Sequence, residues 1–291
     1  MNSIKSIELG ATLFVPATHK NLNAIVCHSK YPYLKSLLID TEDGVSEEKK
    51  GDALQNIASL LKIYEPKELF VFLRPTNISV LKEMLELEGI EKITGFILPK
   101  FSLSNAEEYL EVFENLEFAL MPSIEGSELF DSTKLHQLKE LLLPISEKII
   151  VVRFGLEDML KSLKMRRSCE VSLFDISATS VVLGNFIATF KSAGFEVSGG
   201  VYPCYKDVDG FIKDVKRDLR EGLMSKTIIH PNQIELTHEQ YRVSREEFEN
   251  ALEICASQEA VFAQNSNMAE VVTMKPYSQE VVLRGEVYGL V

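Results

Sequence analysis

Seven charged side chains stand at or just beyond the ends of short apolar runs, where each could meet a bound molecule. Asp40, Glu42 and Asp43 lie in IDTEDGV, Arg74 in FLRPTN, Lys100 in ILPKF, Glu125 in PSIEG and Asp158 in RFGLEDM. Glu125 and Asp158 are 33 residues apart, about one strand-helix unit, so neighbouring strand ends could aim both at one point. Two carboxylates there suit a hard cation. Mg²⁺ takes one or two carboxylates and fills its octahedron with water and substrate oxygens. Arg74 offers a planar fork for a substrate carboxylate or a developing enolate; its plainer alternative is an ion pair with Asp40 or Asp43. Lys100 is a candidate catalytic group together with Glu42 and Asp43. A Schiff-base role would need a depressed pKa, which the nearby carboxylates oppose. Pro99 and Asp40 join Arg74 as candidate substrate-binding positions. Each acid taken singly is more simply a solvated loop residue; the set together reads as a site.

The elements that must position these groups alternate along the chain. Eight apolar runs read as strands: Ala11–Ala17, Ser36–Asp40, Leu69–Arg74, Thr94–Pro99, Phe118–Ile124, Lys148–Arg153, a weak one near Phe195–Tyr202, and Thr227–His230. Runs without strict alternation suit strands buried on both faces, as in a parallel sheet. Between them lie amphipathic stretches such as SEEKKGDALQNIASLLKIY, with Leu54, Ile57, Ala58 and Leu61 on one helical stripe. The spacing predicts a TIM (β/α)₈ barrel, whose active site gathers at the carboxyl ends of the strands. An open doubly wound sheet is the alternative, but neither GxGxxG nor GxxxxGK[ST] occurs. Gly199–Gly200 reads as a tight bend before the seventh strand, and MRRSCEVSLFDIS as an insertion. The barrel is expected over residues 1–263, with a C-terminal extension, 264–291, serving as a lid or oligomer contact.

Composition narrows the partners. With 43 acidic against 31 basic residues and a net charge of −12, neither nucleic acid nor an anionic membrane surface is an expected partner. An anionic substrate must then meet a local cluster of cations. Cys27, Cys169, Cys204 and Cys255 lack metal-ligand or disulfide-like spacing and read as reduced thiols. No apolar h-region opens the sequence and no run of about 18 apolar residues occurs, so a cytoplasmic location is expected. His230, in KTIIHPNQI, reads as a structural histidine rather than a base or ligand.

These residues also carry a resemblance. LFVPATHKNL followed by LLIDTEDGVSEEKK resembles the opening of the HpcH/HpaI aldolase and citrate lyase β-subunit-like family, which includes malyl-CoA lyase. FLRPTN, ILPKF, PSIEGSELF, FGLEDML and SKTIIHPNQI resemble its later motifs in order, over about three-quarters of the chain. The resemblance implies a TIM barrel assembling as a homotrimer or hexamer, with Mg²⁺ on Glu125 and Asp158, Arg74 on the substrate, and Glu42 and Asp43 near the metal. The implied chemistry is retro-Claisen or aldol-type cleavage of a 3-hydroxy acyl compound or hydroxy acid. Its products are an enolate and a small 2-oxo acid, and the substrate is free or a CoA or carrier thioester. The chain departs from the family in two places. Gly10–Ala11–Thr12 and Ala17–Thr18–His19–Lys20 replace Arg and Pro-Arg around LFVP, which puts thioester recognition in doubt. NMAEVV replaces a C-terminal lid motif whose Asp reaches a neighbouring site, so that either Glu270 substitutes or the acid/base is absent. LGATLFVPATHKNL is also similar to divergent citrate-lyase-like proteins of tellurite-resistance and stress gene clusters. Rival readings are a barrel that binds a metabolite without turnover, and a subunit of a larger biosynthetic or stress-response complex.

Overall fold

The computed structural model describes residues 4–66, 68–265 and 267–291. Its contacts divide the chain into two compact units, 1–234 and 235–291. The division therefore falls earlier than the 263/264 boundary expected from the sequence, because the helices just before residue 264 pack within the C-terminal unit.

In the first unit, α1 (Ser6–Leu9) leads into β1 (Ala11–Pro16), and α2 (Leu22–Val26) into β2 (Ser36–Asp40). Then come α3 (Lys50–Ile63), β3 (Phe70–Arg74), α4 (Ile78–Leu85), β4 (Gly95–Leu98), α5 (Ala106–Phe113), β5 (Ala119–Ile124) and α6 (Ser132–Leu142). The short β6 (Arg153–Phe154), α7 (Leu156–Ser162), α8 (Ser177–Lys191), α9 (Val208–Arg220) and β7 (Lys226–Ile228) follow. The strands form one parallel sheet in the order β6-β5-β4-β3-β2-β1-β7. Its two edges are joined through the weak run the sequence placed seventh: Val152 bridges Val197 and Gly199 bridges Lys226, both parallel. This is the expected TIM barrel, with a bridge-only segment in the seventh place.

Side chains alternate across each strand, so every second residue enters the barrel. Phe14, Leu38, Phe72, Ile97, Met121 and Val151 meet there and fill its floor. The next inward positions, two residues on, are Asp40, Arg74, Ser123 and Arg153, and the register pairs Asp40 with Arg74 and Ser123 with Arg153. An apolar floor thus supports a polar layer. The outward faces receive the helices. On α3 the buried stripe is Ala53, Ile57, Leu60 and Leu61, turned slightly from the stripe expected, so Leu54 and Ala58 are half-buried.

Gly199 is not in a bend before the seventh strand but within the closing segment. A Cβ there would lie 2.2 Å from Asp218 Oδ2, so only glycine lets α9 approach so closely. The ammonium of Lys226 on β7 is buried and donates to Asp214 Oδ2 (2.6 Å) and Asp218 Oδ2 (2.5 Å) on α9. Burial pushes Asp218 up to about 6 against the pull of Lys226.

The expectation of four free thiols fails for two. Cys169 and Cys204 form a disulfide with Cα atoms 6.1 Å apart, while Cys27 and Cys255 are free. The MRRSCEVSLFDIS segment folds back on residues 201–207, with Arg167 donating to the Val201 carbonyl and its guanidinium over the Tyr202 ring. A separation of 35 residues leaves no local spacing that would announce the pairing. No helix among the described residues is long and apolar enough to cross a membrane.

In the second unit, α10 (Gln233–Tyr241), which begins at the boundary, is followed by α11 (Arg245–Ala256), a hairpin of β8 (Val261–Gln264) and β9 (Asn267–Glu270), and α12 (Val271–Tyr288). Val243, Ala251 and Val281 form its small core. Glu270 is exposed at the N-cap of α12.

Candidate active site

Asp40, the last residue of β2, is buried and accepts four hydrogen bonds. The backbone N–H groups of Glu42 (2.9 Å) and Gly44 (2.8 Å) supply two, and Arg74 Nε (2.7 Å) and Nη2 (2.9 Å) supply the others. This is the bidentate pair that a guanidinium and a carboxylate make best. The remaining nitrogen, Nη1, lies 3.0 Å from Glu42 Oε2 and 3.8 Å from Asp43. Two of the three nitrogens of Arg74 are therefore spent on Asp40, Nη1 stands near Glu42 without a hydrogen bond, and the cation is held firmly protonated despite burial.

Lys100 follows β4 and Pro99 in a left-handed conformation (φ 49°), fastened where Asn105 Nδ2 donates to its carbonyl (2.9 Å). Its side chain is 55% exposed and donates to Glu42 Oε1 at 2.6 Å. That bond raises the Lys100 pKa, the opposite of what an amine nucleophile needs. Burial raises the Glu42 carboxyl, with Arg74 and Lys100 opposing. Asp43 is 59% exposed, 3.7 Å from Lys100. Pro99 is buried, and its carbonyl accepts from the Tyr109 hydroxyl at 3.3 Å.

Glu125 follows β5 and is buried, with Oε2 lacking any hydrogen-bond partner. Burial, reinforced by the charges of Glu42 and Asp158, pushes its carboxyl up to about 7, while Ser123 and Arg74 pull it down. Asp158 lies in the first turn of α7, and its side chain makes no hydrogen bond or ion pair among the described residues. Gly155 lets the start of α7, which carries Asp158, approach Glu125 closely. Its N–H donates to the Ile124 carbonyl (2.9 Å), and a Cβ there would lie 2.3 Å from Glu125 Cγ. Among the described residues no group of three or more His, Cys, Asp or Glu could hold a metal ion. The pair suits a cation that leaves most of its positions to water and substrate. An orphaned buried carboxylate oxygen and a neighbouring acid are the kind of donors Mg²⁺ prefers, so the residues present fit that ion.

One residue of the polar layer escaped the motif reading. Arg153 opens β6, is 7% exposed, and forms no ion pair among the described residues. Its Nη2 donates to Thr227 Oγ1 at 2.5 Å, and its guanidinium lies 5.1 Å from the centroid of the Phe14 ring, which Arg74 also approaches at 5.3 Å. Counting every second residue from Val151 would have found it. His230 is stacked on Tyr205 (4.4 Å) and bonded through Nδ1 to Asn232 Oδ1 (2.6 Å).

Comparison with known proteins shows the family. Residues 3–290 match the family model described as C–C bond lyase of the TIM-barrel fold. The chain belongs to that family, and its class is that of enzymes that break carbon–carbon bonds. Mitochondrial citramalyl-CoA lyase of Rattus norvegicus is 25% identical over 88% of this chain and 78% of its own length. The citrate lyase β subunit of Haemophilus influenzae is 22% identical over 83% and 82%. Among solved structures, CitE from Mycobacterium tuberculosis in complex with magnesium, acetoacetate and coenzyme A superposes with a TM-score of 0.70. It is 18% identical and covers 95% of this chain and 98% of that one.

Proposed function

We propose that this chain is a Mg²⁺-dependent carbon–carbon lyase that cleaves a 3-hydroxy acyl compound or hydroxy acid into an enolate and a small 2-oxo acid. The observation that carries the reading is the buried Glu125, with an unpartnered oxygen and with Asp158 close enough for its charge to raise the Glu125 carboxyl. Bound there, Mg²⁺ supplies a Lewis acid that offsets negative charge growing on a carbonyl oxygen. M. tuberculosis CitE structures hold magnesium with oxaloacetate in one case and with pyruvate in another, which supports the same ion and a small oxo acid here.

The chain's own groups divide the remaining work. Asp40 positions Arg74 and the turn through Gly44. Arg74 places positive charge beside Glu42 and Asp43, at the edge of the proposed metal site. Glu42 and Lys100 share a short hydrogen bond at the rim, where a proton can be held and passed. Pro99 shapes the wall beside them. The substrate is taken free or as a CoA or carrier thioester, by a cytoplasmic homotrimer or hexamer.

The test is proton NMR of hydrogen–deuterium exchange at the methyl groups of pyruvate and acetyl-CoA in D₂O, with Mg²⁺, with EDTA, and with Glu125→Ala. Mg²⁺-dependent exchange into one methyl group, lost with EDTA and in the variant, is the expected result. Exchange that survives both removes the metal site from the proposal, and no exchange into either counts against enolate chemistry on these acids.

A further inference from the structure

Resting on that reading, we propose that Arg153, alongside Arg74, is a guanidinium that receives a carboxylate of the substrate, at the deep end of the barrel mouth below the level of the metal pair. Arg74 is held largely by the chain's own acids: Asp40 takes it bidentately, and only Nη1, 3.0 Å from Glu42 Oε2 and 3.8 Å from Asp43 with no hydrogen bond to either, is left for an anion. Arg153 has no acid within ion-pair distance among the described residues, and only the more distant charge of Glu125 favours its cation. Its polar neighbours are a hydroxyl, Thr227, and a thioether, Met121 Sδ at 4.0 Å. A buried cation without a counterion is expensive, and its cost falls once an anion arrives. Burial accordingly lowers the Arg153 pKa to about 10.

The register sets the depth. Ser123 pairs with Arg153, and Glu125 lies two residues beyond Ser123, a rise of about 6–7 Å. Thr227, which Arg153 reaches, is level with Thr12, two residues below Phe14. Phe14, whose ring both guanidiniums approach, is half-buried rather than sealed in the core. A short acid with an anion at each end spans the step. One end meets the Glu125 and Asp158 level, and the other lies against Arg153.

The experiment is calorimetric titration of the full chain with L-malate and with 2-hydroxybutyrate, which share the hydroxy acid end but differ in the far carboxylate. Both are titrated with Mg²⁺ and with EDTA. Wild type should prefer malate by roughly 10- to 100-fold, the worth of charge-assisted hydrogen bonds. Arg153→Met should erase that preference by weakening malate alone. It should also leave the urea midpoint of the ligand-free protein unchanged or higher, since the variant removes an unpaired buried charge. A merely structural arginine would lower that midpoint and weaken both acids together, which overturns the assignment. So does a wild type that does not distinguish the two acids, including one that binds neither. If Arg153→Met does not fold, Arg153→Lys decides: a reduced preference supports the assignment and an undiminished one overturns it. Failure here with intact deuterium exchange into pyruvate would sink the anchor and leave the lyase standing.

Discussion

Glu125 binds its proton more tightly folded than unfolded, and that has a sign. Its carboxyl titrates at about 7 in the fold against 4.5 ordinarily. Between those values the folded protein keeps a proton that the unfolded chain has lost. Metal-free stability should therefore fall as pH rises through that window, by about 3 kcal/mol in all. Glu125→Gln cannot ionise and should escape the loss. In EDTA, urea unfolding from about pH 5 to about pH 8 should show the variant gaining on wild type as pH rises. Parallel curves would mean that Glu125 ionises freely. A divalent ion inverts this logic, because binding must displace the proton, so affinity should weaken below about pH 7.

At the scale of elements, the join between β5, β6 and α7 decides whether the two acids meet. Gly155→Ala would drive a methyl into Glu125 and force the start of α7 away. It should cost about 2 kcal/mol or more and weaken Mg²⁺ binding, both measurable by urea unfolding and calorimetry; an alanine variant with wild-type values for both would show that α7 can retreat freely. This join was only half legible in the sequence. The runs through β1–β5 announce themselves because both faces are apolar, and the charged residues after them are conspicuous by contrast. Lys148–Arg153 read as one strand, yet its ladder to β5 is confined to Arg153 and Phe154, with one bridge at Ile149. Arg153 looked like the charge that ends a strand, when it is the inward residue after Val151. The pairing of Arg74 with Asp40 is the plainer of the two alternatives the sequence offered, whereas the approach of Glu42 was not legible, since that depends on which face each side chain takes.

For the molecule as a whole, the ordered motifs revealed the barrel and its family, whereas the disulfide and the division at residue 234 depend on distant segments meeting. The pairing of Cys169 with Cys204 predicts that thiol titration in denaturant without reductant will find only Cys27 and Cys255. Four reactive thiols would return the chain to the fully reduced state its cysteine spacing suggested. The closing of the barrel has a consequence of its own. Around the seventh position the ring is held by four backbone hydrogen bonds, Val152 to Glu196, Ser198 to Val152, Gly199 to Ser225 and Thr227 to Gly199. Arg153 crosses the same gap from β6 to the Thr227 hydroxyl on β7, a single side-chain contact laid over a joint that the backbone already closes. A guest can therefore draw the guanidinium off Thr227 while the four backbone bonds keep the ring shut. Filling the barrel need not open its wall.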